Sequence, residues 1–193
     1  MMRPRLAFIA ALIAASSLDS YAGGAQEIVV SVADQEMALI AWGKVVKRFP
    51  VSTSKFGTGD AVGSYRTPLG QTFVSAKIGD RLPAGAVIKN RNATGEVVNA
   101  NAPGRDAIVS RVIWLRGMDG TTSNTRDRCI YIHGTAEERL IGRRASYGCV
   151  RMRSKDVIVL HALIHVGDHV RISDKPLSAF LPPEEPSLLA RAD

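Results

Sequence analysis

Ile132-His133-Gly134-Thr135-Ala136-Glu137-Glu138-Arg139-Leu140-Ile141-Gly142-Arg143-Arg144-Ala145-Ser146-Tyr147-Gly148-Cys149-Val150-Arg151-Met152 is the most informative run of this chain. Arg128 to His133 alternates in the manner of a strand, so a histidine closes a strand, a loop follows, and a cysteine stands a few residues before a helix. Acyl transfer through a thiol needs a nucleophile, a base to take its proton, and donors for the oxyanion. His133 and Cys149 are separated by one loop, which lets the chain fold back and bring them together. An imidazole beside a thiol can draw off its proton and hold the thiolate as an ion pair. Gly148 leaves room for a substrate beside the sulfur and lets backbone N–H groups face an oxyanion. Arg151 has the fork geometry to grip a substrate carboxylate, or equally to serve a structural ion pair. Ser146 is a turn or cap residue, or a hydrogen-bond partner near the thiol.

Outward from this run the chain reads as mainly β. Glu27–Val32, Met37–Trp42 and Val45–Ser52 form a meander of three short strands with turns at 33–36 and 43–44. Residues 53–70 are rich in Gly, Ser and Thr and read as a loop ending in Thr67-Pro68-Leu69-Gly70, a turn before the strand Gln71–Ser75. Residues 76–107 read as loops and short strands, and Ile108–Arg116 as a strand carrying Trp114. Val157, Leu160, Leu163 and Ile164 fall at helical spacing behind Ser154, the expected N-cap. Gly167 ends that helix, and His169–Ile172 is the last strand. Trp42 and Trp114 are expected in the core. Residues 174–193 form a Pro-rich tail, read as an extended appendage.

The motif resembles the active-site signature of the L,D-transpeptidases of the YkuD type: His-Gly, a loop of about a dozen residues, then Ser/Thr-His-Gly-Cys, an apolar residue and Arg or Asn. Here it stands as His133-Gly134-Thr135 and Ser146-Tyr147-Gly148-Cys149-Val150-Arg151. Thr67-Pro68-Leu69-Gly70 and Gly167-Asp168-His169-Val170-Arg171-Ile172 match further family elements in order, so the resemblance spans residues 27–173. It implies a β-rich α+β fold with a curved, sandwich-like mixed sheet and one or two short helices. It also implies acyl transfer on peptidoglycan stem peptides. Cys149 would attack the L,D bond before a terminal D-Ala with His133 as base, and an amine of a second stem or of a wall-anchored acceptor protein would resolve the thioester. Gly134 would orient the imidazole through its carbonyl, and the Gly148 and Cys149 amides would face the oxyanion. No cofactor or metal is implied. Tyr147 departs from the family's usual histidine. Its hydroxyl can donate a hydrogen bond, but a phenol does not replace an imidazole as a base. Two alternatives stay open: an L,D-carboxypeptidase or other hydrolase with the same nucleophile, and a weakened cell-wall-binding module.

Residues 1–22 read as a secretory signal peptide: Arg3 and Arg5, an apolar run from Leu6 to Ala15, and the small-residue site Ser20-Tyr21-Ala22. The chain is therefore expected in the periplasm or cell wall, with no stable membrane anchor after cleavage. The formal charge of +7 suits an anionic wall polymer outside the cytoplasm better than nucleic acid. Two cysteines in an exported protein invite a disulfide. On the strand reading Cys129 lies about 13 Å from His133 along one face, while a disulfide needs Cα atoms within about 7 Å. Together with the resemblance, this leaves Cys149 a free thiol and Cys129 a buried small hydrophobe. His161, His165 and His169 are spaced by four, but Gly167 breaks the helix between the last two, so no metal site is expected. Arg139, Arg143 and Arg144 are solvated charge, or a basic edge over the cleft.

Overall fold

The computed structural model describes residues 26–182. The expected signal peptide and the end of the Pro-rich tail lie outside the described residues. The fold is mainly β, as the sequence predicts, with one α-helix among the described residues. The strands are β1 (Glu27–Ser31), β2 (Glu36–Ala41), β3 (Lys44–Pro50), β4 (Gly70–Ile78), β5 (Ala86–Lys89), β6 (Asn92–Val97), β7 (Ile108–Gly117), β8 (Tyr131–Thr135), β9 (Val150–Met152) and β10 (His169–Ser173), with helix α1 (Ser154–Leu163) between the last two strands.

They form one mixed sheet in the order β3-β2-β1-β10-β4-β7-β5-β6, with β8 on β7 and β9 on β8. The last strand runs parallel to the first, Val29 beside Arg171, so both ends of the domain meet in mid-sheet. Central placement explains why Ile28, Val29 and Val30 are all fully buried: a strand covered on both faces needs apolar side chains in sequence. β6, at the far edge, is exposed along its whole length. The β5–β6 turn is built from Asn90 and Arg91, both at positive φ (50° and 66°), the geometry of tight hairpins.

Helix α1 covers β7 and β8. Its Val157, Leu160 and the following Ile164 pack with Ile113, Ile132, Val150 and Met152 in the main core. The alternation of β8 and β9 then turns His133, Cys149 and Arg151 to the other face, away from this core.

Several local expectations are corrected. β8 begins at Tyr131, and Cys129 lies in the preceding turn at φ 56°, half-buried rather than buried. The α1 N-cap is Arg153, and Ser154 instead donates its N–H to Glu138 Oε1 at 2.8 Å. Trp42 is not core: it occupies the β2–β3 turn at 72% exposure. Trp114 is half-buried, packed against the cluster of Ile88, Val112 and Tyr131, with the Arg91 and Arg126 guanidiniums 4.8 and 4.2 Å from its ring centroid. The tail starts as structure, because Leu177 is buried against Val29 and Ala38.

Candidate active site

β8 and β9 run parallel, with His133 beside Arg151. Cys149 immediately precedes β9, one strand over and two residues back from His133. That diagonal is roughly 8 Å between Cα atoms for ordinary strand spacing. The two side chains line one cleft of about 170 Å³ with Asp106, Ile108, Tyr147 and Arg151.

His133 is 5% exposed, and its Nδ1 lies 2.8 Å from the Gly134 carbonyl oxygen. A carbonyl only accepts, so Nδ1 carries the proton and Nε2 keeps its lone pair. Gly134 has no room for a side chain: a Cβ there would collide with the Val109 carbonyl and press on Val157.

The turn that carries Cys149 is held by small polar residues. Ser146 Oγ donates to the Cys149 carbonyl at 2.6 Å, and the Gly148 N–H donates to Ser146 Oγ at 3.3 Å. The Gly148 amide is therefore engaged within the turn, while no hydrogen bond among the described residues engages the Cys149 N–H. Gly148 sits at φ +121°, where an added Cβ would meet Ile130 Cδ1 at 3.2 Å and the Arg66 carbonyl at 3.3 Å.

Segment 51–70 does more than connect strands. Ser52 and Ser54 form isolated bridges with Arg151 and Ser146. Thr67, fully buried, accepts the Ser54 N–H and donates its hydroxyl to the Gly148 carbonyl, both at 3.0 Å. The sequence reading took Thr67 for a plain turn residue. The signal it missed is that a buried threonine beside a proline needs a partner for its hydroxyl.

Arg151 is 5% exposed and pairs with Asp106 at 2.7 Å and Glu137 at 3.4 Å. Its fork lines the cleft already engaged by two carboxylates, which were not singled out from sequence. Both cysteines are free thiols. Cys149 Sγ lies 3.5 Å from the Cys129 carbonyl and accepts the Tyr131 N–H at 3.4 Å, so the two cysteines are neighbours through backbone. The expected strand does not run through Cys129, because the chain turns there at positive φ. Among the described residues no group of three His, Cys, Asp or Glu is placed to hold a metal. His161 is buried, with Nδ1 3.5 Å from Asp80 and Nε2 unpartnered.

The resting electrostatics differ from the expected ion pair. Burial pushes the Cys149 thiol up to about 11, against smaller opposing effects of the Tyr131 N–H and Arg151. Burial pushes His133 down to about 4, with the Gly134 hydrogen bond acting the other way. Both groups are neutral near pH 7, because a cleft this enclosed disfavours either charge alone. A stability consequence follows. Below pH about 6.5 the unfolded chain takes up a proton at this histidine and the folded one does not until about pH 4. Stability should therefore fall as pH drops through that window, by about 3 kcal/mol for His133. His161, also lowered to about 4 by burial, adds to the loss. Urea titrations at pH 7 and 4.5 measure the sum. His133→Asn, which keeps a donor for the Gly134 carbonyl, should flatten the pH dependence, and an unchanged slope would contradict the assignment.

A model of the YkuD L,D-transpeptidase catalytic domain matches residues 25–172. The chain belongs to this family. A Bacillus subtilis (strain 168) protein named as an L,D-transpeptidase, YqjB, is 30% identical over 151 residues, covering 76% of this chain and 70% of that one. The Escherichia coli (strain K12) protein YbiS, likewise named, is 40% identical over 57 residues, 30% of this chain and only 19% of its own length. Among solved structures, an L,D-transpeptidase from Mycobacterium smegmatis aligns with TM-score 0.51 at 16% identity, over 77% of this chain and 58% of that one. L,D-transpeptidase 3 from Mycobacterium tuberculosis, in complex with a faropenem-derived adduct, aligns with TM-score 0.50 at 16% identity over 77% and 60%. At such identities these two carry the fold alone. Among the described residues no helix is long and apolar enough to cross a membrane.

Proposed function

We propose that this protein is an exported peptidoglycan L,D-transpeptidase, with Cys149 as nucleophile and His133 as base. The observation that carries this reading is the tautomer lock. The Gly134 carbonyl fixes the proton on Nδ1, which leaves the Nε2 lone pair available in a cleft that His133 shares with Cys149. Cys149 Sγ attacks the carbonyl carbon of the third stem residue while its proton passes to Nε2. The oxyanion meets the Cys149 N–H. The carbon–nitrogen bond breaks, the leaving D-Ala nitrogen takes the proton from Nε2, and a thioester remains. An acceptor amine then attacks the thioester and loses its proton to Nε2, and the sulfur leaves and regains it.

The neutral resting pair places the proton transfer within the attack rather than before it. Separating charge first would run against both pKa values. Arg151, held by Asp106 and Glu137, supplies fixed positive potential beside the thiol as it ionises. Ser146 and Gly148 shape the turn that presents the sulfur. Tyr147, half-exposed at the cleft, offers a hydroxyl where the family commonly has an imidazole. Residues 1–22 would direct export, and the acceptor would be a second stem or a wall-anchored protein.

Incubating the purified protein with disaccharide-tetrapeptide and reading products by mass spectrometry tests the proposal. Dimers lacking one D-Ala, or exchange with an added D-amino acid, are expected. Free tripeptide alone would assign a carboxypeptidase, and no turnover would overturn the enzymatic reading.

A further inference from the structure

The cleft rim carries a cation with an unusual mounting. Lys55 Nζ donates to the Tyr147 hydroxyl at 2.9 Å. It lies 4.2 Å from the Tyr147 ring centroid and 5.3 Å from that of Phe56. Phe56, Tyr65 and Tyr147 pack against one another with centroids 5.7–6.2 Å apart, although each ring is about half exposed. The backbone supports the mounting, because the Lys55 N–H donates to the Ser146 carbonyl at 3.1 Å. Lys55 is thus tied to the residue before Tyr147 and moves with the nucleophile turn.

A surface lysine ordinarily keeps its rotamer freedom, and fixing it costs side-chain entropy. Two ring faces and a hydroxyl offset that cost here. One of the three ammonium donors is used on Tyr147, so two remain for a ligand. Two neighbouring guanidiniums are committed: Arg151 to Asp106 and Glu137, and Arg128 to Asp60. Lys55 is thus an ammonium with free donors beside Tyr147, which lines the cleft.

We infer that Lys55, mounted on Tyr147, binds the free C-terminal carboxylate of the acyl-donor peptide and so selects stems whose leaving residue is unblocked. The inference rests on the proposed function. In that reaction the leaving residue's carboxylate carbon lies three bonds beyond the scissile carbonyl carbon, within about 4 Å of it. With the carbonyl at Cys149 Sγ, a carboxylate on the side of the cleft lined by Tyr147 would meet the Lys55 ammonium. Lys55 therefore acts on recognition and leaves the chemical step to Cys149 and His133.

The test compares a tetrapeptide stem with its C-terminal amide. Titration calorimetry on Cys149→Ser protein, which traps the bound state, should show the free acid binding about tenfold tighter than the amide, the lower end for a charge-assisted hydrogen bond at a partly exposed site. Adding Lys55→Met should erase that ratio and leave amide binding unchanged. Tyr147→Phe, which removes the hydroxyl anchor, should give an intermediate ratio. In the otherwise wild-type enzyme Lys55→Met should raise KM for the acid about tenfold, with kcat within about twofold. Turnover by the wild type with equal acid and amide affinity would overturn the carboxylate site and leave the proposed function standing. An unchanged ratio in Lys55→Met would likewise assign the preference to another group. A wild type that neither binds nor processes either peptide would remove both readings.

Discussion

Cys149→Ser is expected to fold with stability within about 1 kcal/mol of the wild type and to lose turnover by at least about 10⁴-fold. Serine is the informative replacement because of what the sulfur touches. Sγ accepts the Tyr131 N–H at 3.4 Å and faces the Cys129 carbonyl at 3.5 Å. A hydroxyl can meet both groups, whereas alanine would leave the Tyr131 amide without its partner, at a cost of about 1–3 kcal/mol if water does not replace it. Lost activity in the serine protein therefore reports on chemistry and not on folding. Denaturant titration and product analysis on one preparation check both halves. Retained turnover would move the nucleophile elsewhere. A companion measurement tests the resting state. With the thiol at about 11, the thiolate fraction at pH 7 is about 10⁻⁴, so alkylation by a small neutral reagent should be slow and rise nearly tenfold per pH unit toward 11. A rate already maximal at pH 7 would restore the ion-pair picture.

The split between what sequence showed and what it hid follows the range of the interactions. Alternating or continuous apolar runs announced β1, β2, β7 and β10, because their burial is written residue by residue. β9 is only three residues long and exists because it pairs with β8, so nothing local marks Val150–Met152 as a strand. The β5–β6 hairpin was obscured by Asn90-Arg91, a turn pair with less signal than Asn-Gly. At the site, His133 and Cys149 were legible as a spaced pair of reactive types. Their shared cleft depends on β8–β9 register, which no local pattern encodes. Asp106 and Glu137 were invisible as partners of Arg151 because each lies 14 or more residues away. The raised thiol and lowered imidazole were also out of reach, since burial causes both and burial is a property of the fold. Cys129 shows the reverse error: the strand was read as running through it, whereas the chain turns there at positive φ and its carbonyl meets the Cys149 thiol, though both thiols stay free as expected.

Arg128→Met should produce the largest stability loss among substitutions away from the main core, about 3–5 kcal/mol. Arg128 and Asp60 form an ion pair at 2.7 Å with side chains only 6% and 7% exposed. The guanidinium also donates to the Gly59 carbonyl at 3.1 Å and the Arg66 carbonyl at 2.6 Å. Asp60 in turn accepts the Asn124 N–H at 2.6 Å and the Thr125 hydroxyl at 3.2 Å. Methionine fills much of the space but leaves a buried carboxylate without its cation and two carbonyls without donors. The consequence reaches Cys149, the proposed nucleophile, along covalent and hydrogen-bonded links. Arg66 precedes Thr67, Thr67 holds the Gly148 carbonyl, and Gly148 precedes Cys149. Activity should therefore fall even at temperatures where the variant stays folded. Removing the stranded charge as well, in Arg128→Met with Asp60→Asn, should recover most of the stability, because the penalty belongs to the unpaired carboxylate and not to the missing attraction. Recovery of stability without full recovery of turnover would separate the two roles, since the double variant still lacks the donor to Arg66. A single variant within 1 kcal/mol of the wild type would instead mean that water reaches Asp60 and that the loop carrying Thr67 is held by its other contacts.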